Sequence, residues 1–340
     1  MTKTIHSIGE DALVASLARG YSRPNARLIK GMGDDASVTI QAAGRALLAT
    51  TDVLIEGIHF IKAHTTPYLL GRKALGVSLS DIAAMGGRPL FHLVSIAMPP
   101  ETPKAFVNGL YKGMDAAGQD YGSCLAGGNT ARLPGRVMVS TTAFGEAAAG
   151  RVIYRNGARP GDVIYVTGLL GQSALGMEAL KTSGAAAIRG RFKEAVKRHL
   201  DPAPRIAAGA TLASGGLATA MMDLSDGLGI DLRRMCEASG VTAEVELEKI
   251  PVSAALRRYA RDNRVSASVF AASGGEDYEL LFTSPPGRAK AVATAAKRAK
   301  ITITPIGRVT GKGGKGRPGV VFVNADGRAV RLKKAGFQHF

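Results

Sequence analysis

Hydrophobic positions along this 340-residue chain switch between a two-residue and a helical period, and the switches mark out short strands and longer helices. Ser37–Ile40 and Ala46–Thr51 read as two strands around a turn at Gly44. From Pro67 to about Met85 the apolar residues recur at helical spacing, and Gly86-Gly87 closes the pattern. Leu90–Met98 reads as a strand stopped by Pro99-Pro100, Pro103–Ala117 as a helix, and Val137–Phe144 as an alternating strand. Ahead of them, Ser7 and Glu10 fit a capping box that opens a helix to about Ala18.

The Ala-, Gly- and Arg-rich stretch from Ala147 to Pro160 interrupts both periods. A domain boundary is expected there, giving an N-terminal domain of residues 1–150 and a C-terminal α/β domain of residues 151–340. Beyond it, strands are expected at Val163–Thr167, Ala218–Leu224, Val241–Leu247, Tyr278–Thr283, Ile303–Gly307 and Val320–Asn324. Helices are expected at Gln172–Thr182, Pro204–Ala213, Asp226–Ser239 and Gly287–Ala299. That order predicts an α/β (α+β) protein of two successive units with mixed sheets. The length suits two domains rather than one.

Composition changes the picture in three ways. Apolar residues make up 46% of the chain but aromatics only 5%, with no tryptophan, so the cores must be built from Ala, Val, Leu and Ile. The net charge of +17 favours anionic partners such as nucleotides and phosphate esters. The basic runs Arg189–Arg198, Arg288–Lys300 and Arg331–Lys334 lack interleaved aromatics, so they read as solvated surface, and no nucleic-acid partner is expected. Cys124 and Cys236 have no metal or redox spacing, and the N-terminus lacks the apolar core of a signal peptide. No apolar run approaches the ~18 residues of a membrane span. A cytoplasmic protein without a membrane partner is expected.

Candidate chemistry lies in aspartates beside Gly, Ser or Thr: Asp34 and Asp35 in GMGDDASV, Asp52 in ATTDVLIEGIHF, Asp81 in KALGVSLSDIAAMGG, and Asp223 and Asp226 in MDLSDGL. Converging carboxylates suit Mg²⁺, a hard cation that shares oxygen ligands with phosphates. Phosphoryl transfer asks for positioning and charge neutralisation more than for covalent chemistry. Taken singly, each aspartate is equally a turn former or helix cap. Asp81 is the exception, because it falls inside an apolar helical pattern where an unpaired carboxylate is costly to bury. No P-loop, dinucleotide fingerprint or protein-kinase signature occurs, and GKGGKGRPG at Gly311–Gly319 reads as a loop between strands.

The blocks GMGDDASV, TTDVLIEGIHF, KALGVSLSDIAAMGG, GGNT, MDLSDGL, SGGEDYELLF and the terminal GFQHF follow the order seen in thiamine-monophosphate kinases, which the chain resembles from about residue 7 to 340. That family belongs to the ATP-binding proteins similar to aminoimidazole-ribonucleotide synthetase. The resemblance implies that ATP phosphorylates thiamine monophosphate directly, the last step in making thiamine diphosphate, with several Mg²⁺ ions and no phosphoenzyme. It implies metal ligation by Asp35, Thr50, Thr51, Asp52, Asp81, Asn129, Asp223 and Asp226. It implies ATP contacts from Tyr111, Gly128, Asn129, Arg155 and Ser225, with Arg155 as a phosphate clamp. His59 and Glu276 would face thiamine monophosphate, and Lys334 and Phe337 are the candidates for the aromatic contact the family has near the C-terminus. A homodimer joined through the N-terminal sheets is also implied.

The family usually has GGDT where this chain has Gly127-Gly128-Asn129-Thr130, and an Asn ligand carries one negative charge less. Two rivals stand beside this reading: a purine-type synthetase of the same superfamily, and a non-catalytic nucleotide or nucleic-acid binder. A selenophosphate synthetase would need a reactive Cys near its N-terminus, and no Cys precedes position 124.

Overall fold

The computed structural model describes residues 28–31, 34–41, 44–312, 319–332 and 336–337, together with residues 12, 15 and 19. The capping box at Ser7 and Glu10, and Lys334, lie outside the described residues. The chain is built on two mixed sheets. The first comprises β1 (Leu28–Lys30), β2 (Ser37–Ile40), β3 (Arg45–Ile55), β4 (Arg88–Met98), β5 (Cys124–Arg132) and β6 (Met138–Ala148), in the order β1-β2-β3-β6-β4-β5. Its pairs are antiparallel except β4 with β5.

One face of this sheet packs against α1 (Pro67–Ala84) and α2 (Lys104–Tyr121). Pro67 opens α1 and the Thr66 hydroxyl accepts the Leu69 amide at 3.2 Å, so the helix start is capped. Nearly every residue from Leu70 to Ala84 is buried, which is why α1 reads as apolar rather than amphipathic. The two helices cross backbone against backbone. A Cβ on Gly71 would lie 1.9 Å from the Leu110 carbonyl oxygen, and one on Gly113 1.9 Å from that of Tyr68.

The second sheet follows with β7 (Val163–Thr167), α3 (Gln172–Ser183), α4 (Lys193–Leu200), α5 (Ile206–Ser214), β8 (Ala220–Asp223) and α6 (Leu228–Ser239). Then come β9 (Val241–Glu246), α7 (Ala254–Asp262), α8 (Ala267–Ser273), β10 (Leu280–Ser284), α9 (Ala289–Ala299), β11 (Ile303–Lys312), β12 (Gly319–Val323) and β13 (Ala329–Val330). The strand order is β13-β12-β9-β11-β7-β10-β8, with β12 parallel to β9 and the other pairs antiparallel. The end of α1 joins the two halves: Ala83 and Ala84 share a core with Tyr165, Leu212 and Phe282.

Three departures from the sequence pattern have physical causes. α4 begins inside the basic run Arg189–Arg198 and extends to Leu200, and its Ala195, Val196, His199 and Leu200 are buried while its lysines and arginine face outward. With Gly127, Gly128 and Asn129 at its centre, β5 has little strand propensity and forms because β4 supplies a backbone ladder beside it. The helix expected from Asp226 begins at Leu228, because Gly227 has φ 121° and Asp231 accepts the Asp226 and Gly227 amides at 3.1 and 2.9 Å.

Candidate functional site

A cleft of about 1180 Å³ lies between the halves of the chain, along the part of β3 that β2 leaves unpaired. At its acidic end, Asp35 comes from the loop before β2, Asp81 from α1 and Asp223 from the end of β8. Each offers a carboxylate oxygen, and the three lie within 4.8 Å of one another. Thr50 donates to Asp81 Oδ2 at 2.5 Å, and Ser80 donates to Asp223 Oδ2 at 2.6 Å. Asp52, on β3, adds a fourth carboxylate, and its Oδ2 is buried with no hydrogen-bond partner. Asp35 Oδ2 is orphaned in the same way.

These groups cannot all hold charge without a counter-ion. Burial, then the charge of Asp34, raises the Asp35 carboxyl to about 6 against the opposing pull of Arg155. Burial pushes Asp52 up, and burial with the neighbouring carboxylates pushes Asp81 and Asp223 well up. The three oxygens are close enough that Asp35, Asp81 and Asp223 could together hold one divalent cation, which would neutralise their charge. The donor set fits a hard cation, and the orphaned oxygens are where a cation would be satisfied.

Basic groups border the acidic end. Arg155 donates to Asp35 Oδ1 at 2.5 Å, and Arg234 donates to Asp226 at 2.5 Å and to Asp231 at 3.3 Å. Ser225 and Phe337 also line the cleft, and the Phe337 amide bonds to the Asp226 carbonyl at 2.9 Å.

A second cluster in the same cleft is built around Glu276, whose amide donates to the Ser225 carbonyl at 2.6 Å. Its Oε1 lies 2.9 Å from Lys73 Nζ, and its Oε2 lies 3.2 Å from His199 Nδ1. Burial alone would raise this carboxyl, but the Lys73 charge and the His199 contact outweigh it and hold Glu276 at about 2. His59 lines the same cleft, its Nδ1 accepting the Ile55 amide at 3.0 Å. Lys73 and His199 were not singled out in the sequence. Lys73 carried the signal that marked Asp81, a charge inside an apolar helix, whereas His199 directly follows a run that reads as solvated surface.

The cleft thus gathers Asp35, Thr50, Thr51, Asp52, Asp81, Arg155, Asp223, Ser225, Asp226, His59, Glu276 and Phe337. The Thr51 hydroxyl, however, turns to the Thr141 carbonyl and Thr142 hydroxyl, at 3.2 and 3.1 Å. Gly128, Asn129 and Tyr111 are not among the cleft's lining residues. Asn129 is in register with Ser95 on β4, then with Ser140 on β6 and Val53 on β3, three strand steps away. That is about 14 Å at the usual strand spacing, on the face opposite Asp52. Tyr111 packs beside the core under this sheet.

Comparison with known proteins agrees with this architecture. Residues 33–147 match the N-terminal domain of AIR synthase related proteins, and residues 159–318 match the C-terminal domain. Thiamine-monophosphate kinase of Salmonella typhimurium is 35% identical over 332 residues, 98% of each chain. The enzyme of that name from Aquifex aeolicus is 36% identical over 92% of this chain and 93% of its own. Among solved structures, AaThiL complexed with AMPPCP and TMP superposes with a TM-score of 0.83 at 31% identity, covering all of both chains. The chain belongs to the thiamine-monophosphate kinase family of AIR synthase related proteins.

Proposed function

We propose that this protein transfers the γ-phosphoryl group of ATP directly to thiamine monophosphate, giving thiamine diphosphate and ADP. The observation that carries this reading is one cleft that gathers a cluster of buried carboxylates, Arg155 and the fixed carboxylate of Glu276. Its membership of the family, and the binding of AMPPCP and TMP by a structural relative, support the same substrates.

Asp35, Asp52, Asp81, Asp223 and Asp226 would hold Mg²⁺, with Thr50 and Thr51 beside them. The metal, when bound, supplies neutralisation of charge on the transferring phosphoryl oxygens. Arg155 meets the polyphosphate at the edge of this cluster, and Ser225 lies next to it. An oxygen of the acceptor's phosphate attacks Pγ, and the bond from Pγ to the bridging oxygen of ADP breaks. A dianionic phosphate is already nucleophilic, so the chain need supply no general base. His59 and Glu276, in the same cleft, orient the acceptor.

The open face of the first sheet supports a homodimer. Val53 and Leu93 are 40% and 37% exposed there, and Phe91 stacks on Phe144 at 4.8 Å. A second copy covering this face would bury them and bring its own Gly128 and Asn129 against the first copy's sheet. No helix among the described residues is long and apolar enough to cross a membrane. Family membership supports a cytoplasmic location. The stereochemical course at a chirally labelled γ-phosphorus tests direct transfer: inversion supports it, and retention points to a phosphoenzyme.

A further inference from the structure

The acceptor part of the cleft has more internal support than a surface carboxylate needs. Glu276 has φ 62° and Tyr278 φ 49°, a left-handed backbone that side chains other than glycine adopt at a cost. Neighbouring contacts hold this conformation. The Glu276 amide donates to the Ser225 carbonyl at 2.6 Å. Asp277 accepts the Gly171 and Ser173 amides at 2.6 and 3.1 Å, tying the segment to the start of α3. Glu279 is bound by Arg205 and by the Thr167 hydroxyl, the latter at 2.7 Å. The backbone around residue 276 is therefore fixed on both sides.

The side chain is fixed as well. Lys73 is only 2% exposed, in the middle of α1, and its ammonium pairs with Glu276 Oε1 while lying 3.4 Å from the His59 carbonyl. His199, on α4, shares Nδ1 between Glu276 Oε2 at 3.2 Å and the Ser173 hydroxyl at 2.9 Å. Burial, then the charge of Lys73, holds the imidazole below its ordinary range, so it serves Glu276 as a neutral N–H donor. The carboxylate is held from two helices, one in each half of the chain. Each of its oxygens keeps a second lone-pair direction for a ligand, and the side chain remains 25% exposed. The lining also includes the apolar Ala174, Met177, Leu180 and Leu200, with Lys181, paired to Glu178 at 3.0 Å, among them.

Resting on the kinase reading above, we propose that Lys73 and His199 are positioning residues that set acceptor specificity. They keep Glu276 ionised and in one orientation, so that this part of the cleft selects a flat organic group that is cationic or presents N–H donors. The thiazolium and aminopyrimidine rings of thiamine monophosphate have that chemistry. A phosphate ester with a neutral or anionic organic part does not.

The test is calorimetric titration of thiamine monophosphate into the full-length protein, run beside steady-state kinetics. The variants are Lys73→Met, Lys73→Arg, His199→Gln, Glu276→Gln and the Lys73→Met/Glu276→Gln double. Lys73→Met is expected to weaken acceptor binding and raise its KM at least tenfold, with the KM for Mg·ATP within twofold of wild type. Lys73→Arg should recover most of that loss, and His199→Gln should give an intermediate loss. The double variant should be no worse than Glu276→Gln alone, because Lys73 acts through that carboxylate. A purely structural ion pair would instead lower the melting temperature and move both KM values, with additive losses in the double variant. That result, or acceptor binding within twofold of wild type in Lys73→Met and His199→Gln, overturns the proposal. Wild-type protein that binds thiamine monophosphate without phosphorylating it would refute the kinase reading alone, and the variant binding ratios would still decide this one. Wild-type protein that does not bind thiamine monophosphate would refute both.

Discussion

Ser80, on the central helix of the N-terminal half, donates its hydroxyl to Asp223 at the end of a C-terminal strand, at 2.6 Å and out of contact with water. This bond ties the halves together at the acidic end of the cleft and aims a carboxylate that would otherwise be free to rotate. Ser80→Ala should cost about 1–2 kcal/mol of stability, the usual consequence of removing a partner from a buried polar group. It should also weaken Mg²⁺ binding on the order of tenfold, as loss of a ligand's supporting hydrogen bond does. Thermal melts across a Mg²⁺ titration measure both effects.

Neutralising one buried carboxylate should separate stability from activity. Asp223→Asn keeps an acceptor for Ser80 but removes a charge that burial and Asp35 disfavour. The metal-free variant should be more stable than wild type and melt at a higher temperature, while phosphoryl transfer falls on the order of 100-fold or more. A variant that melts lower and retains its rate would contradict the cation-binding account.

The same cluster sets a pH dependence. The Asp35 carboxyl is raised from 3.8 to about 6 in the folded protein, so the folded state binds that proton more tightly than the unfolded chain does. Its stabilising contribution is full below about pH 4 and is lost as the pH rises through about 6. A cation competes with the proton, so Mg²⁺ affinity should rise with pH over the same window, about tenfold per pH unit for each proton displaced. The Mg²⁺-induced shift in melting temperature should therefore be small at pH 5 and large at pH 7.5.

Asn129, where the family resemblance implies an aspartate, offers a carbonyl oxygen but no charge, and within one copy it lies three strand steps from β3 on the face opposite Asp52. If the proposed dimer brings it to a metal, Asn129→Asp should lower the Mg²⁺ concentration needed for half-maximal rate. An unchanged Mg²⁺ dependence and rate would show that Asn129 does not tune the metal requirement.

At the crossing of α1 and α2 there is no space for a methyl group. Gly71→Ala would place Cβ 1.9 Å from the Leu110 carbonyl oxygen, a backbone atom that cannot rotate away. The loss should be about 3 kcal/mol, read by chemical denaturation, with reduced transfer because α1 carries both Lys73 and Asp81.

Much of the site was legible because its residues broke a local pattern. Asp81 stood out as a carboxylate in an apolar helix, and the aspartates of DLSDGL and GDDASV lay beside turn residues. The partners that give these groups meaning were not legible, since contacts such as Lys73 with Glu276 and Ser80 with Asp223 join residues far apart in sequence. The fold followed similar lines. The long apolar run between Pro67 and Gly86-Gly87 that forms α1, and the strict alternation of β9, could be read directly. In contrast, β5 depends on its neighbour's backbone, and α4 was hidden beneath its own charges. Alternation along β5 could not by itself reveal that Asn129 and Asp52 occupy opposite faces, because only the pairing register across three strand steps shows it.

The most direct test is to incubate the purified protein with Mg·ATP and thiamine monophosphate and quantify thiamine diphosphate and ADP together, with free thiamine and a metal chelator as controls. The account predicts equal amounts of the two products, formed only with the metal and not from thiamine. Folded protein that binds ATP yet yields no thiamine diphosphate at millimolar Mg²⁺ would contradict it.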